Sequence, residues 1–411
     1  MLEVVPVFLV ITAVIAWLNA RFLRLPSTIG VMAAALLLSA AAMALDHVGY
    51  SRARAYATEL FGIIDFSDVL MEGMLSILLF AGALHVDLHS LAKYRWQVGL
   101  LALVGTAAAA LLIGAGLYHL LPVAGLHLPL PFCMVFGALI APTDPISVTG
   151  LLHKVGAPQN LETVISGESL FNDGVGIALF TVMAAIAGNH APDGAEMAIL
   201  LLREGAGGIV YGTVLGYVSY RMLRSIDSYQ EEVLITVAAV VGGYSLAHVL
   251  GVSGPLAMVA AGILIGNLGR RKGMSDRTRE QIDQFWELLD AMLNAALFVL
   301  IGFEALLLPF SGTLFAAGVA AIAVTLGARL LTAGLPVALA GRHAKLPDGA
   351  WQVLTWGGLR GGISVALALS LPASPERGVL VTITYLVVVF SVLVQGLTIE
   401  RLVRRVVKCA S

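Results

Sequence analysis

Cysteine is nearly absent. Two occur in 411 residues, Cys133 inside an apolar run and Cys409 near the end, so no disulfide framework and no thiolate metal site are expected. Charge is scarce as well: Asp, Glu, Lys and Arg make up 12% of the residues, about half of the roughly 25% usual in soluble domains. Ten-residue stretches of alternating polar and apolar residues, the mark of a transmembrane barrel, are missing. No phosphate loop and no dinucleotide fingerprint occurs, which excludes the usual nucleotide-driven devices. "GESL" at 167–170 lacks the second glycine of a Gly-x-Ser-Gly site, and Gly-x-Gly-Asp does not occur. No enzyme is expected.

Hydrophobicity is what the chain has in abundance. Apolar residues make up 59% of it and 44 residues are glycine, with a mean hydropathy of +0.91. Apolar runs of about the 20 residues that a helix needs to cross a bilayer recur from end to end. The opening "MLEVVPVFLVITAVIAWLNA" has Glu3 as its leading charge and no basic segment ahead of its apolar run, and is expected to be a retained first helix. The pattern predicts an all-α polytopic membrane protein with spans near 4–20, 25–45, 67–86, 97–118, 129–152, 161–188, 201–220, 231–250, 252–268, 284–307, 314–340, 350–371 and 378–396.

The basic residues test that count of thirteen. Alternate connections hold eighteen Lys and Arg on one side and three on the other, with Arg203, Arg329 and Arg360 left within spans or at their edges, completing the 24. Basic loops stay cytoplasmic, so the N-terminus is expected outside and the C-terminus in the cytoplasm of a plasma membrane. "GRRKGMSDRTRE" at 269–280 reads as such a loop, not as a nucleic-acid patch. The basic tail 397–411 reads as a charged exit that lies along the anionic leaflet.

An ionisable side chain near the bilayer centre costs about 2.5–3.5 kcal/mol on insertion scales, so each one left there marks a site. Asp144, Glu168, Asp173 and Arg360 stand out. Glu72, Asp290, Glu304 and Arg329 lie nearer span ends, where snorkelling or a structural ion pair is the expectation. His85, His89, His153, His190 and His343 fall at span ends or in loops and read as solvated, and His248 as a packing residue.

In "GALIAPTDPISVTG", 137–150, two prolines three residues apart break the fifth span at Thr143 and Asp144. Unwound backbone at membrane depth survives only where protein or a water-filled cavity satisfies it, and freed carbonyls beside a carboxylate suit a small cation. In "ISGESLFNDGVGIALF", 165–180, Ser169 and Asp173 share a helix face, and Glu168 and Asn172 the adjoining one. Asp144, Ser169, Asn172 and Asp173 can then converge on one ion. In "TWGGLRGGISVALALSLP", 355–372, four glycines flank Arg360, which predicts a second interruption and an arginine in need of a buried anion, with Glu168 as the expected partner. Spans five and twelve run in opposite directions, as in an inverted repeat with two crossed discontinuous helices.

"APTDP", "ESLFNDG" and "WGGLRGG", on three helices in that order, resemble the monovalent cation/proton antiporters of the NhaP and animal sodium/proton exchanger type; "VSGPLAMVAAGILIGN" and "LLFAGALHVDL" are similar to that family too. The resemblance implies thirteen helices, an antiporter fold and a homodimer. It implies that Asp173 alternately holds a proton and a sodium, lithium or potassium ion, with Asp144 and Ser169 adding oxygen ligands, Thr143 a backbone one, and no cofactor. Asn172 stands where electrogenic relatives have a second aspartate, which implies one-for-one, electroneutral exchange. Glu168 and Arg360 match the family's core ion pair. Many members read Phe-Glu-Gly-Gly where this chain has Phe80-Ala81-Gly82-Ala83, so no ligand is carried over to the third span. The expected division is an ion-translocation bundle over about 67–188 and 314–396 and a dimer scaffold over about 1–45 and 201–307. The rival reading, an organic-anion symporter or channel with crossed broken helices, calls for more cationic groups than Arg360 alone.

Overall fold

The computed structural model describes residues 4–47, 73–144, 148–150, 152, 155–188, 199–200, 202–269, 275–306, 308, 311–341 and 345–407. Glu72, Pro145, His153, His190, His343, Cys409 and the basic residues 52, 54, 154, 270–272, 342 and 408 lie outside them. Regular structure among the described residues is helical throughout. Among the described residues, eight helices are long and apolar enough to cross a membrane: Pro6–Leu23, Ser27–Ala44, Arg95–Ala124, Gln159–Ala187, Tyr229–Leu250, Arg277–Glu304, Gly312–Ala340 and Pro375–Val406. The 22 residues of Tyr229–Leu250 make a rod of about 33 Å at 1.5 Å per residue, close to the ~30 Å of a hydrocarbon layer. Leu75–Leu84, Leu130–Ile140 and Gly254–Gly269 are shorter apolar helices. The predicted twelfth span is divided into Ala350–Trp356 and Gly362–Leu369. Among the described residues, length and composition alone carry eight full crossings, and the other described helices on predicted spans are shorter or interrupted.

Local chemistry sets many of these ends. Ser253, Ser275, Ser311 and Ser374 each precede a helix in extended backbone and accept its early N–H groups, as at Ser311 Oγ to Leu314 N, 3.2 Å. Gly251, at φ +64°, closes Tyr229–Leu250 in the left-handed conformation that glycine adopts without strain. The last helix does not stop near 396. It continues through a π-helical turn at Ser391–Gln395 to Val406, burying Ile399 and Val403 against Val353 and Leu354 of Ala350–Trp356.

Small residues bring backbones together where lipid supplies no hydrophobic drive between helices. A Cβ on Gly212 would lie 2.2 Å from the Ala257 carbonyl oxygen, so that helix pair tolerates nothing larger than glycine. One apolar core surrounds Leu130–Ile140 and joins Phe136, Phe298, Val365 and Val388. A second joins Leu75–Leu84 to Gly254–Leu264 around Phe80 and Trp286, whose rings lie 4.8 Å apart. The buried Trp286 indole donates to Thr236 Oγ1 at 3.2 Å, so the ring is packed and its polar atom satisfied. Gln159–Ala187 packs against Leu130–Ile140 and touches Gly254–Leu264 and Gly362–Leu369, which lays it beside both interruptions.

Candidate functional site

The Leu130–Ile140 helix ends as the sequence predicts. Ala141 and Pro142 form a bend, and Thr143 and Asp144 have no regular structure. The second interruption, 357–361, lies across from it. The Asp144 N–H donates to the Leu359 carbonyl at 2.8 Å, so the two unwound segments are hydrogen-bonded to each other. Asp144 also lies against Gly361, where a Cβ would come within 3.0 Å of the Asp144 Cβ and 3.3 Å of a carboxylate oxygen. This places a negative side chain at the start of Gly362–Leu369, the positive end of that helix.

Arg360 satisfies the opposite end. Its Nη1 donates to the carbonyls of Ala141 and Pro142, the latter at 2.7 Å, where Leu130–Ile140 leaves acceptors unpaired. Its backbone N–H donates to Ser391 Oγ at 2.8 Å, and Gln395 Nε2 donates to the Trp356 carbonyl at 2.8 Å. The π-helical turn of the last helix thus braces the second interruption from behind.

The expected Glu168–Arg360 pair is not formed. Glu168, fully buried, is held by Arg329, with Nη2 donating to Oε2 at 2.9 Å and Nη1 to Oε1. Arg329 Nε donates to the Leu354 carbonyl at 3.0 Å, and its stem fills the space beside Gly358. The reason is one of supply: the broken helix leaves carbonyls that take up Arg360, and a second arginine, expected to be snorkelling or structurally paired, answers the buried carboxylate.

Thr143, Ser169 and Asn172 are bound to one another. Asn172 Nδ2 donates to Thr143 Oγ1 at 2.8 Å, Asn172 Oδ1 accepts the Thr143 N–H at 3.2 Å, and the Thr143 and Ser169 hydroxyls share a hydrogen bond of 2.8 Å. The amide of Asn172 therefore grips both the side chain and the backbone of Thr143. Gly176 admits Pro142 beside this latch; a Cβ there would meet the proline ring at 2.0 Å.

Asp173 projects elsewhere. It lines a cavity of about 50 Å³ together with Thr143, Asp144, Asn294 and Ser364, and the rest of the wall is proline, glycine and apolar side chains such as Leu75, Leu170 and Leu297. Ser169 and Asn172 are not part of that wall. Sequence reasoning missed Asn294 and Ser364. Asn294 had a signal, a carboxamide one turn after Asp290 on one face of Asp276–Glu304; Ser364 had only its place two residues beyond the paired glycines. Gly82 and Leu170 are shared with a second cavity of about 670 Å³, which widens past His85, Asp87, Ser90, Glu162, Ser166, Glu287 and Asp290. This acidic vestibule lies at the end of the bundle that carries the basic turn Lys93–Arg95. Ala81 is in its wall, so the third span lends backbone and a methyl group there, not a carboxylate.

The family model described as sodium/hydrogen exchanger, transmembrane, matches residues 9–405. The chain is 49% identical over 411 residues to the Na+/H+ antiporter NhaP of Pseudomonas aeruginosa, covering 99% of this chain and 97% of that one. It is 34% identical over 345 residues to the Na+/H+ antiporter NhaH of Halobacillus dabanensis, covering 83% of each. The solved structure of the sodium proton antiporter MjNhaP1 from Methanocaldococcus jannaschii at pH 8 superposes with a TM-score of 0.75 over 98% of this chain and 97% of that one, at 21% identity. The helical architecture is shared with it.

Proposed function

The chain belongs to the sodium/hydrogen exchanger family, and from that premise we infer that it exchanges sodium for protons across a membrane, one cation for one proton. The observation that carries this reading is the small cavity where two interrupted helices meet, walled by Asp144 and Asp173 and adjoining a wide acidic vestibule. A carboxylate there holds a proton or a cation. Holding both leaves excess buried charge and holding neither leaves a bare one, so only the loaded states reorient. Asp173 is the shared group, Asp144 the second oxygen donor, and the Thr143 backbone the third. Ser169 and Asn172 act by fixing Thr143, and Glu168 with Arg329 is a structural pair outside the transport step.

The basic loops put the vestibule on the cytoplasmic side, with the N-terminus outside, so this conformation faces inward. Reorientation moves the helices of the two interruptions and Gln159–Ala187 against a scaffold made of the first spans and 201–307. The Leu75–Leu84 helix goes with the scaffold because it packs on Gly254–Leu264. A homodimer formed through that scaffold holds it still in the membrane. An organic anion is a poor occupant: about 50 Å³ beside two carboxylates offers neither room nor attraction. In everted vesicles, sodium should dissipate a preformed proton gradient, lithium and potassium serving as comparison cations. Asp173→Asn should abolish the response, and full retained exchange in that variant would refute the assignment.

A further inference from the structure

We propose that Ser364 is a further ligand of the transported cation and that its hydroxyl helps set the preference among monovalent ions; the proposal rests on the exchange reading above. Ser364 is 1% exposed and lines the same cavity as Asp144 and Asp173. Its hydroxyl makes no hydrogen bond among the described residues, whereas the neighbouring hydroxyls of Thr143, Ser169 and Ser391 are all engaged. Buried hydroxyls are ordinarily paired, so one left over in the cavity wall that also carries Asp144 and Asp173 marks a place where something else is to be bound. The local fold explains the exception. A serine inside a helix ordinarily returns its hydroxyl to the carbonyl four residues back. Here that residue is Arg360, in the interruption before Gly362, so the helix offers no carbonyl in register.

The chemistry fits a monovalent cation. A hydroxyl oxygen adds a ligand without adding charge, so the balance between the ion and the two aspartates is unchanged. The ligand is also well fixed: Ser364 lies in the first turn of Gly362–Leu369, and the adjoining interruption is tied to Asp144 through the Leu359 carbonyl. Ser364 and Asp144 therefore keep their spacing when the site reorients. A ligand on rigid backbone discriminates by ion size better than a mobile water in its place, so removing it should weaken binding and flatten the sodium-to-lithium ratio.

The test is Ser364→Ala and Ser364→Thr in reconstituted vesicles, measuring proton movement against sodium and lithium concentration at fixed pH. Alanine suits the helix. The half-saturating sodium concentration should rise roughly three- to tenfold, the worth of one lost polar contact. The maximal rate should stay within about twofold, the sodium-to-lithium ratio should move towards one, and the threonine variant should restore both. Unchanged half-saturation for both ions in S364A overturns the proposal. If S364A is folded but inactive, sodium-dependent thermal stabilisation of the purified variant decides: stabilisation at wild-type concentrations overturns the ligand role, and its loss supports it. If S364A does not fold, S364C and S364T decide on the same readout, the thiol raising half-saturation and the hydroxyl keeping it; equal values overturn the role. Failure of the exchange reading is separate, because the wild-type protein would then show no cation-dependent proton movement.

Discussion

The backbone N–H of Asp144 and the carbonyl of Leu359, 215 positions apart in the chain, share a hydrogen bond of 2.8 Å, and Arg360 closes the same junction from its other side through the Ala141 and Pro142 carbonyls. Two helices that each lack a turn therefore complete one another. Arg360→Lys is expected to loosen this junction. A lysine is a compact point charge on a flexible stem and does not hold a donor where the rigid guanidinium fixes Nη1 between the Ala141 and Pro142 carbonyls. The expected cost is about 1–3 kcal/mol, read as a lower unfolding midpoint of the detergent-solubilised protein, together with a reduced maximal exchange rate. A variant that melts and transports like the wild type excludes this role.

Glu168 and Arg329 make a different prediction. Both are buried and joined in a bidentate pair, so removing either partner strands an uncompensated charge. Glu168→Gln and Arg329→Gln are each expected to cost about 3–5 kcal/mol. The double variant should cost clearly less than the sum of the two, because it leaves neither charge behind. Additive losses in a double-mutant cycle of unfolding midpoints would show that the pair is not a unit.

The sequence announced the interruptions because proline and clustered glycine act locally: Pro142 ends Leu130–Ile140 whatever packs around it. It announced the polar sector of Gln159–Ala187 because helical spacing alone puts Ser169, Asn172 and Asp173 on neighbouring faces. It did not announce which arginine meets Glu168. Arg329 and Arg360 are both basic residues near the edges of apolar runs, and the choice depends on how many orphaned carbonyls the break leaves, a count that exists only once the helices cross. Ser364 was hidden for a related reason. In "GGISVALAL" a serine reads as one more small residue of a packed membrane helix, and only the cavity beside it distinguishes it.

Asn172 is expected to act through Thr143. Its carboxamide both donates to and accepts from that residue, so Asn172→Ala removes two hydrogen bonds and frees the unwound backbone. The sodium concentration for half-maximal exchange should rise several-fold, with a smaller loss of maximal rate. Asn172→Asp keeps the acceptor for the Thr143 N–H but loses the amide donor, and should fall between alanine and the wild type in stability. Alanine and wild-type proteins with the same half-saturation would show that the latch does not position the site.

A shared carboxylate also dictates how exchange responds to pH. If a proton and a sodium ion compete for Asp173 one for one, lowering the pH converts more of the site to its protonated form, and more sodium is needed to displace the proton. The half-saturating sodium concentration must therefore rise as pH falls, approaching tenfold per pH unit on the acid limb and levelling off on the alkaline limb, where the site is already deprotonated. The maximal rate at saturating sodium need not follow the same curve, because reorientation and proton release on the far side contribute to it. Half-saturation measured across several pH units with both sides buffered gives the slope directly. A slope of one on logarithmic axes is the expected result. A slope of two would mean that Asp144 takes up a proton along with Asp173, and one-for-one exchange through a single working carboxylate would no longer describe the site.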